Sequence, residues 1–295
     1  MKRLAKLIPL GMVFVVLLSS CATMARKEAL PYYDFQGMAD SGVIVVTVDA
    51  QKEHELIDGV FSGMQEFGDR AERISLSLSP KENGYPLEAD ALEAYGVIEG
   101  DYPKWLVNTA MMYAKEFTRH YAADEITYFQ QKDGTLSIYS PNNDKVLFTT
   151  TEYPEAYTRY KAERQLIDLV TASDMASSSI AVYASEPETF FDLGLDLPDT
   201  VITQAKVMLL LINQKADGGY SLDAYITMDT PKLATTLSQM VRTGYLARLK
   251  RERIPFKIAE LMQMFLIEDD LVTIRHMDLD DEQMNNLKQS LSGML

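Results

Sequence analysis

Four stretches of the chain share one pattern, in which an apolar run of strand length is followed by a short turn and an amphipathic helix. The clearest runs are residues 43–48, 220–228 and 271–274, and a weaker one covers residues 180–183. Apolar runs of about four to eight residues predict strands, whereas apolar residues spaced by about 3.6 predict helices. The pattern therefore predicts sheet covered by helices, and its recurrence suggests a structural duplication.

Other segments predict antiparallel strand pairing. Ile74, Leu76 and Leu78 alternate with serines, which is typical of a strand with one buried face and one solvated face. Further along, turn sequences at residues 132–134 and 141–144 separate short apolar runs. Such spacing predicts a meander of antiparallel strands.

Two further segments are apolar but allow more than one interpretation. A helix is predicted to begin at Pro103 and to carry Trp105 and Tyr113 in a stripe that faces the core. Residues 207–212 form a continuous apolar run, which fits a central strand, a buried helix or the wall of a lipid-binding cavity.

We therefore predict an α+β protein with two similar halves, each a mainly antiparallel sheet covered by amphipathic helices. The first half covers residues 41–172 and the second covers residues 173–295, because small residues near position 172 suit a boundary. Residues 1–20 are predicted to be a signal peptide and residues 21–40 a tether.

The signal-peptide prediction rests on the beginning of the chain. Three basic residues precede an apolar run at residues 7–18, as in secretory signal peptides, and the run is shorter than the ~20 residues of a membrane helix. It ends in Leu18-Ser19-Ser20-Cys21, which resembles the lipobox of bacterial lipoproteins. The resemblance implies cleavage between Ser20 and Cys21 and acylation of Cys21. Several acyl chains would anchor the mature protein stably.

The lipobox resemblance also implies a location. Bacterial lipoproteins are sorted by the residue after the acylated cysteine, and a residue other than Asp favours the outer membrane. Ala22 occupies that position here. The predicted protein is therefore held by lipid on the periplasmic side of the outer membrane.

The charge balance excludes some classes of protein. Lys+Arg 28 against Asp+Glu 43 gives a formal net charge of −15, and loss of the signal peptide removes three more positive charges. A chain this acidic is not expected to bind nucleic acid, because phosphate recognition needs a dominant basic surface. The single cysteine excludes an intramolecular disulfide.

Catalytic and metal-binding patterns are weak. His54 and Asp58 have the spacing of two metal ligands on a helix, but a zinc-protease motif needs a second histidine at the latter position. Ser62 misses the spacing of a hydrolase nucleophile by one residue. The acidic residues at 278–282 fit the start of a helix better than a calcium loop. We predict no catalytic residue, no metal site and no cofactor, and therefore no enzyme.

Basic charge is concentrated between residues 230 and 260, a segment that contains seven basic residues and two acidic residues. Apolar residues recur there at helical spacing, and helices that are both apolar and cationic can lie in a membrane interface. The alternative is that the apolar face covers the sheet and the cations balance acidic neighbours. The candidate membrane-contact residues are Arg242, Tyr245, Arg248, Lys250, Arg251, Arg253, Phe256 and Lys257.

The combination of lipobox, acidic α+β body, repeated strand–helix units and amphipathic helices resembles the concealed membrane-inserting outer-membrane lipoproteins of spirochaetes. The specific part of this resemblance is the four-residue lipobox. Over residues 40–295 the resemblance is only in the order and type of the predicted elements. It implies a protein tethered to the inner leaflet of the outer membrane, whose amphipathic helices enter lipid. It assigns no further functional residue.

Two functions follow from the sequence. The preferred hypothesis is a lipid-anchored, non-enzymatic envelope lipoprotein whose amphipathic helices contact membrane lipid. The alternative is a tethered structural or protein-binding lipoprotein, whose partner is another envelope protein and whose helices are internal.

Overall fold

Twelve antiparallel strands form a single sheet in the computed structural model, which describes residues 32–40, 42–61, 65–80, 92–121, 127–151, 153–186 and 199–292. The strands are β1 (Ile44–Asp49), β2 (Ala71–Pro80), β3 (Leu92–Gly100), β4 (Phe117–Tyr121), β5 (Thr127–Gln131), β6 (Ser137–Tyr139), β7 (Lys145–Thr149), β8 (Ile180–Ser185), β9 (Ala205–Gln214), β10 (Tyr220–Met228), β11 (Phe265–Glu268) and β12 (Leu271–Leu279).

Helices cover both faces of this sheet. They are α1 (His54–Val60), α2 (Gln65–Gly68), α3 (Lys104–Tyr113), α4 (Tyr153–Lys161), α5 (Leu169–Ser177), α6 (Asp199–Ile202), α7 (Pro231–Arg251), α8 (Ile258–Met264) and α9 (Asp281–Ser292), with a 3-10 helix at Asp34–Gly37. The predicted strand–helix units appear as β1–α1, β10–α7 and β12–α9. The helix predicted after β8 falls at residues 187–198, outside the described residues.

The α+β class is confirmed, and the two halves share one sheet. The strand order is β11-β12-β10-β9-β8-β1-β2-β3-β7-β6-β5-β4, so the strands of each predicted half are neighbours. The halves join where β1 pairs with β8, from Ile44 opposite Ala184 to Val48 opposite Ile180. Both strands are apolar on both faces, so each can lie between neighbours in the middle of a covered sheet.

Two hydrophobic cores lie on opposite faces of the sheet. Along β1, Ile44, Val46 and Val48 point into one core, which α1, α3, α7, α8 and α9 complete. Val45, on the alternate face, points into a second core with the 3-10 helix, α4 and α5. This alternation is the period-two geometry of a strand. The run at residues 207–212 lies in β9 and is buried on both faces, so it is a central strand.

The second core changes two sequence-based expectations. The serine face of β2 is not solvated: Ser75 is buried, and its hydroxyl lies 3.1 Å from that of Thr47. The predicted tether ends earlier than residue 40, because Phe35 is fully buried and the Gln36 side chain donates to the carbonyl oxygen of Ile167. Both differences have one cause, since the 3-10 helix packs against β2.

Residues Tyr33–Leu295 form one compact unit. Among the described residues, every member of both cores lies inside it, and a unit with its own core can fold independently. We therefore expect a protein that lacks the predicted signal peptide to retain both cores.

Candidate functional site

The start of α7 follows from its sequence. Thr230 caps the helix, because its side-chain oxygen accepts from the backbone N–H of Leu233 at 3.3 Å, and Pro231 occupies the first turn. Proline is favoured there because the backbone N–H groups of the first turn have no partner within the helix, so a residue without an N–H loses no hydrogen bond.

The end of α7 is a tight left-handed turn. The Arg253 N–H donates to the Lys250 carbonyl and the Ile254 N–H donates to the Leu249 carbonyl, while Arg253 has a φ of 57°. These two bonds and this positive φ form a Schellman motif. Pro255 follows and prevents continuation, so the chain turns sharply and begins α8 at Ile258.

Two of the predicted membrane-contact residues, Tyr245 and Arg248, lie on the inward face of α7. Tyr245 and Arg248 are buried, each with only 8% of its surface exposed, and Phe256 packs partly buried against the core. Val241, Tyr245 and Arg248 recur at spacings of four and three, so they lie on one helical stripe. That stripe faces the sheet, and these side chains cannot meet a membrane in this conformation.

Arg248 is held by the helix and strand next to it. Its Nη1 donates to Asp280 Oδ2 at 3.1 Å and to Gln283 Oε1, and its Nη2 donates to the carbonyl oxygen of Asp278. The guanidinium also lies 4.9 Å from the centre of the Tyr245 ring. Burial raises the pKa of the Tyr245 hydroxyl. Because its guanidinium is held by these hydrogen bonds, Arg248 is a structural cation in this conformation, and replacing it would disturb the fold.

Arg248 also carries a buried donor without an acceptor. Its Nε has no hydrogen-bond partner among the described residues. A buried unpaired polar group costs about 1–3 kcal/mol, so such groups are uncommon in folded proteins.

The outer side of α7 and α8 presents cations beside apolar side chains. Ile258 is 73% exposed and Met262 is 53% exposed, although both are large and apolar. Arg242 joins the two helices, because its Nη1 lies 3.4 Å from the Met262 sulfur. We call this surface the α7–α8 patch; it comprises Arg242, Lys250, Arg253, Ile254, Lys257, Ile258 and Met262.

Cations dominate the charge of the patch. Lys257 pairs with Glu260 at 2.8 Å, and this hydrogen bond raises the pKa of the lysine. Lys250 and Arg253 are exposed and form no ion pair with the residues that the structure describes. Exposed ion pairs contribute at most about 1 kcal/mol, so the cations can exchange partners. Arg251 lies next to the patch, 75% exposed and 3.6 Å from Glu252.

The other predicted site residues are not brought together. His54 and Asp58 are both exposed on α1. Across the described ranges, no group of three or more histidine, cysteine or acidic side chains is placed to hold a metal ion. Ser20, Cys21 and Ser62 lie outside the described residues.

None of the helices in the described residues combines the length and the apolar character needed to cross a membrane.

A second exposed apolar surface was missed by the sequence analysis. Trp105 and Tyr113, predicted to face the core, are 68% and 82% exposed, and Met112 is exposed beside them. Val107 and Met111 of the same helix face the sheet instead. Apolar residues occur on more than one side of α3, and the sequence has no signal that selects the buried side.

Comparisons with known proteins support the fold. No protein-family profile and no curated protein matches the chain in sequence. Solved structures of TP0453, an outer-membrane lipoprotein of the spirochaete Treponema, are similar to it. Crystal form I has a TM-score of 0.62 at 12% identity, over 90% of this chain and 98% of the other. Form III gives 0.59 at 12% identity, over 90% and 99%. Over nearly its whole length, the chain therefore has the fold of TP0453.

Proposed function

We propose that this protein is a lipid-anchored, non-enzymatic envelope lipoprotein that makes a second contact with membrane lipid through the α7–α8 patch. The observation that carries the proposal is the patch itself, in which Ile258 and Met262 are exposed beside cations, two of which, Lys250 and Arg253, form no ion pair with the described residues. Similarity to an outer-membrane lipoprotein and the lipobox-like sequence ending at Cys21 support the anchor.

The chemistry of the patch fits an anionic membrane surface. Each large apolar side chain gains about 1.5–3 kcal/mol when it leaves water completely. Each Lys or Arg near an anionic leaflet adds about 1 kcal/mol. The patch contains three large apolar residues and four cations, so even partial burial gives measurable binding. The anchor would keep the patch at high local concentration next to the bilayer.

Vesicle flotation of residues 22–295, which lack the anchor, tests the proposal. We expect flotation with anionic vesicles, little flotation with neutral vesicles, and weakening as salt rises because salt screens exposed charges. Lys250→Glu combined with Arg253→Glu should reduce flotation at least tenfold. Replacing Arg248 is unsuitable, because its buried contacts belong to the fold.

A matched control changes the same charge on the opposite face of the sheet. Arg159 and Arg164 are exposed, and their neighbours Ala156 and Ile167 belong to the second core. Arg159→Glu with Arg164→Glu should leave flotation largely unchanged. If both double variants lose binding equally, overall charge drives the attraction and the patch has no special role.

The alternative function is a tethered protein-binding module. It is favoured by the exposed Trp105, Met112 and Tyr113 on α3, because aromatic residues and methionine are enriched at protein interfaces. This alternative would be favoured if the protein does not float with anionic vesicles but binds a specific envelope protein, and if that binding depends on Trp105.

A further inference from the structure

β4 is the last strand of the sheet, and its outer edge has no strand beside it among the described residues. On its inner side it pairs with β5 over all five of its residues, without a bulge. The strand also contains no proline. A regular edge strand of this kind presents a row of unpaired backbone groups that another extended chain can bind.

The ladder between β4 and β5 shows which backbone groups face outward. Lys132 N–H donates to the carbonyl oxygen of Glu116 at 2.9 Å, and bonded pairs in an antiparallel ladder recur at every second residue. Thr118 and His120 therefore bond to β5, whereas the N–H and C=O groups of Arg119 point away from the sheet. The part of the chain that the structure describes supplies neither group with a partner.

The side chains along this edge combine a positive charge with an aromatic ring. Arg119 and Tyr121 lie on the same face of β4, because alternate residues of a strand point the same way. The Arg119 guanidinium lies 4.9 Å from the centre of the Tyr121 ring, and both side chains are exposed, Tyr121 by 71%. Within the described ranges, Arg119 forms no ion pair. The edge therefore offers a cation without a counter-ion next to an apolar surface.

A second copy of the chain does not fit this edge well. Antiparallel pairing of two β4 strands over their full length would place Arg119 opposite Arg119, and like charges directly opposite each other are destabilising. A shift of two residues separates the arginines, but it leaves only three of the five residues of each strand paired. The charge on the edge therefore favours a different strand, one with a carboxylate opposite Arg119.

We propose that the β4 edge binds an extended segment of another protein, in which a carboxylate residue lies between β-branched apolar residues on one face. The segment joins the sheet as a further strand through backbone bonds to Arg119 and Tyr121. Its carboxylate lies opposite Arg119 and an apolar side chain lies opposite Tyr121, both of which are favourable cross-strand pairs. Strand addition to a sheet edge is a general mode of peptide recognition. The inference does not rest on the proposed membrane contact, because it uses no residue of the α7–α8 patch.

Fluorescence anisotropy with labelled synthetic peptides tests the proposal on residues 22–295. The probe Thr-Val-Thr-Glu-Thr-Val-Thr carries its carboxylate between two valines on one face, and the control peptide has Lys in place of Glu. We expect the Glu peptide to bind at least about threefold more tightly than the Lys peptide. The proposal is overturned if the Glu peptide does not bind at concentrations up to about 1 mM, or if the two peptides bind equally.

Charge reversal at Arg119 tests the carboxylate contact. Arg119→Glu should reverse the preference, so that the Lys peptide binds more tightly. Arg159 is also an exposed arginine, on α4, and Arg159→Glu should keep the wild-type preference. Arg119→Pro removes an N–H that faces outward, which an edge strand tolerates, and should weaken both peptides. An unchanged preference in Arg119→Glu would overturn the proposal.

Two further measurements separate strand addition from other kinds of binding. N-methylation blocks the backbone donors of a peptide, and alternate residues of a strand direct them to opposite edges. Methylating positions 2, 4 and 6 of the probe should therefore differ in effect from methylating positions 3, 5 and 7, and equal effects would refute strand pairing. Wild type and Arg119→Pro should sediment alike. If Arg119→Pro dissociates a wild-type dimer, a second copy occupies the edge and the proposal is overturned.

Discussion

Glu53 and Lys288 form a buried ion pair between the two halves of the chain, and removing the lysine should destabilise the fold strongly. The Glu53 side chain is fully buried at the start of α1, and its Oε2 lies 3.1 Å from Lys288 Nζ on α9. The Tyr220 hydroxyl donates to the same oxygen at 3.0 Å. Burial by itself lowers the pKa of Lys288, but hydrogen bonds to Tyr220 and Glu53 outweigh it and raise this pKa.

The magnitude follows from what Lys288→Met leaves behind. The methionine keeps the volume but leaves the Glu53 carboxylate with one neutral hydrogen bond, and losing one member of a buried pair costs about 3–5 kcal/mol. The Lys288 side chain is 21% exposed, so water can partly replace it. We expect a loss of about 3 kcal/mol in the free energy of unfolding, or about 6–12 °C in Tm for a domain of this size.

Urea unfolding of residues 22–295 at neutral pH measures this loss. The double variant Glu53→Gln with Lys288→Met should recover a large part of it, because the buried charge is then absent. Lys257→Met removes a lysine from an exposed pair of 2.8 Å and should cost less than about 1 kcal/mol. The reasoning is refuted if Lys288→Met costs no more than Lys257→Met, or if the double variant is no more stable than Lys288→Met.

Three further predictions concern other sites. Burial and the nearby Asp34 carboxylate raise the pKa of Glu99 to about 7. The folded carboxyl therefore keeps its proton to a higher pH than the unfolded one, and the free energy of unfolding should fall by about 2 kcal/mol as pH rises from about 5 to 8. Urea unfolding of Glu99→Gln should show a flatter pH dependence. The ring of Phe148 occupies the space where a Cβ on Gly96 would lie, so Gly96→Ala should cost about 1–3 kcal/mol in the same assay. Arg253 has a φ of 57°, so Arg253→Gly should raise Tm, adding about 0.5–1 kcal/mol, while weakening vesicle flotation.

The first two of these predictions each have a control on the same chain, and the third has an outcome that would contradict it. Glu155 is an exposed surface carboxylate, and Glu155→Gln should keep the wild-type pH profile; an unchanged slope in Glu99→Gln would contradict the assignment. Gly59 is helical and open, so Gly59→Ala should stabilise, whereas destabilisation equal to that of Gly96→Ala would remove the steric argument. A lower Tm for Arg253→Gly would show that the arginine side chain contributes more than the backbone conformation costs.

Local patterns along the chain were sufficient to locate most of the secondary structure. The alternation in β10, Pro231 at the start of α7 and the turn before β7 all led to the elements that the structure contains. Spacing and capping act within a few residues, so they can be read without knowledge of the fold. The basic character of residues 230–260 was equally visible, because composition does not depend on packing.

Tertiary structure decided which side of each element is covered. From the sequence, Arg248 and Lys250 were both predicted to contact the membrane. In the structure Arg248 lies on the stripe of α7 that faces the sheet, whereas Lys250 faces solvent. Trp105 is exposed and Ser75 is buried, contrary to their polarity. These outcomes depend on elements distant in the chain, such as the 3-10 helix over β2 and the pairing of β1 with β8. Burial of a residue is a property of what packs against it, and that is set by long-range contacts rather than by the neighbouring sequence.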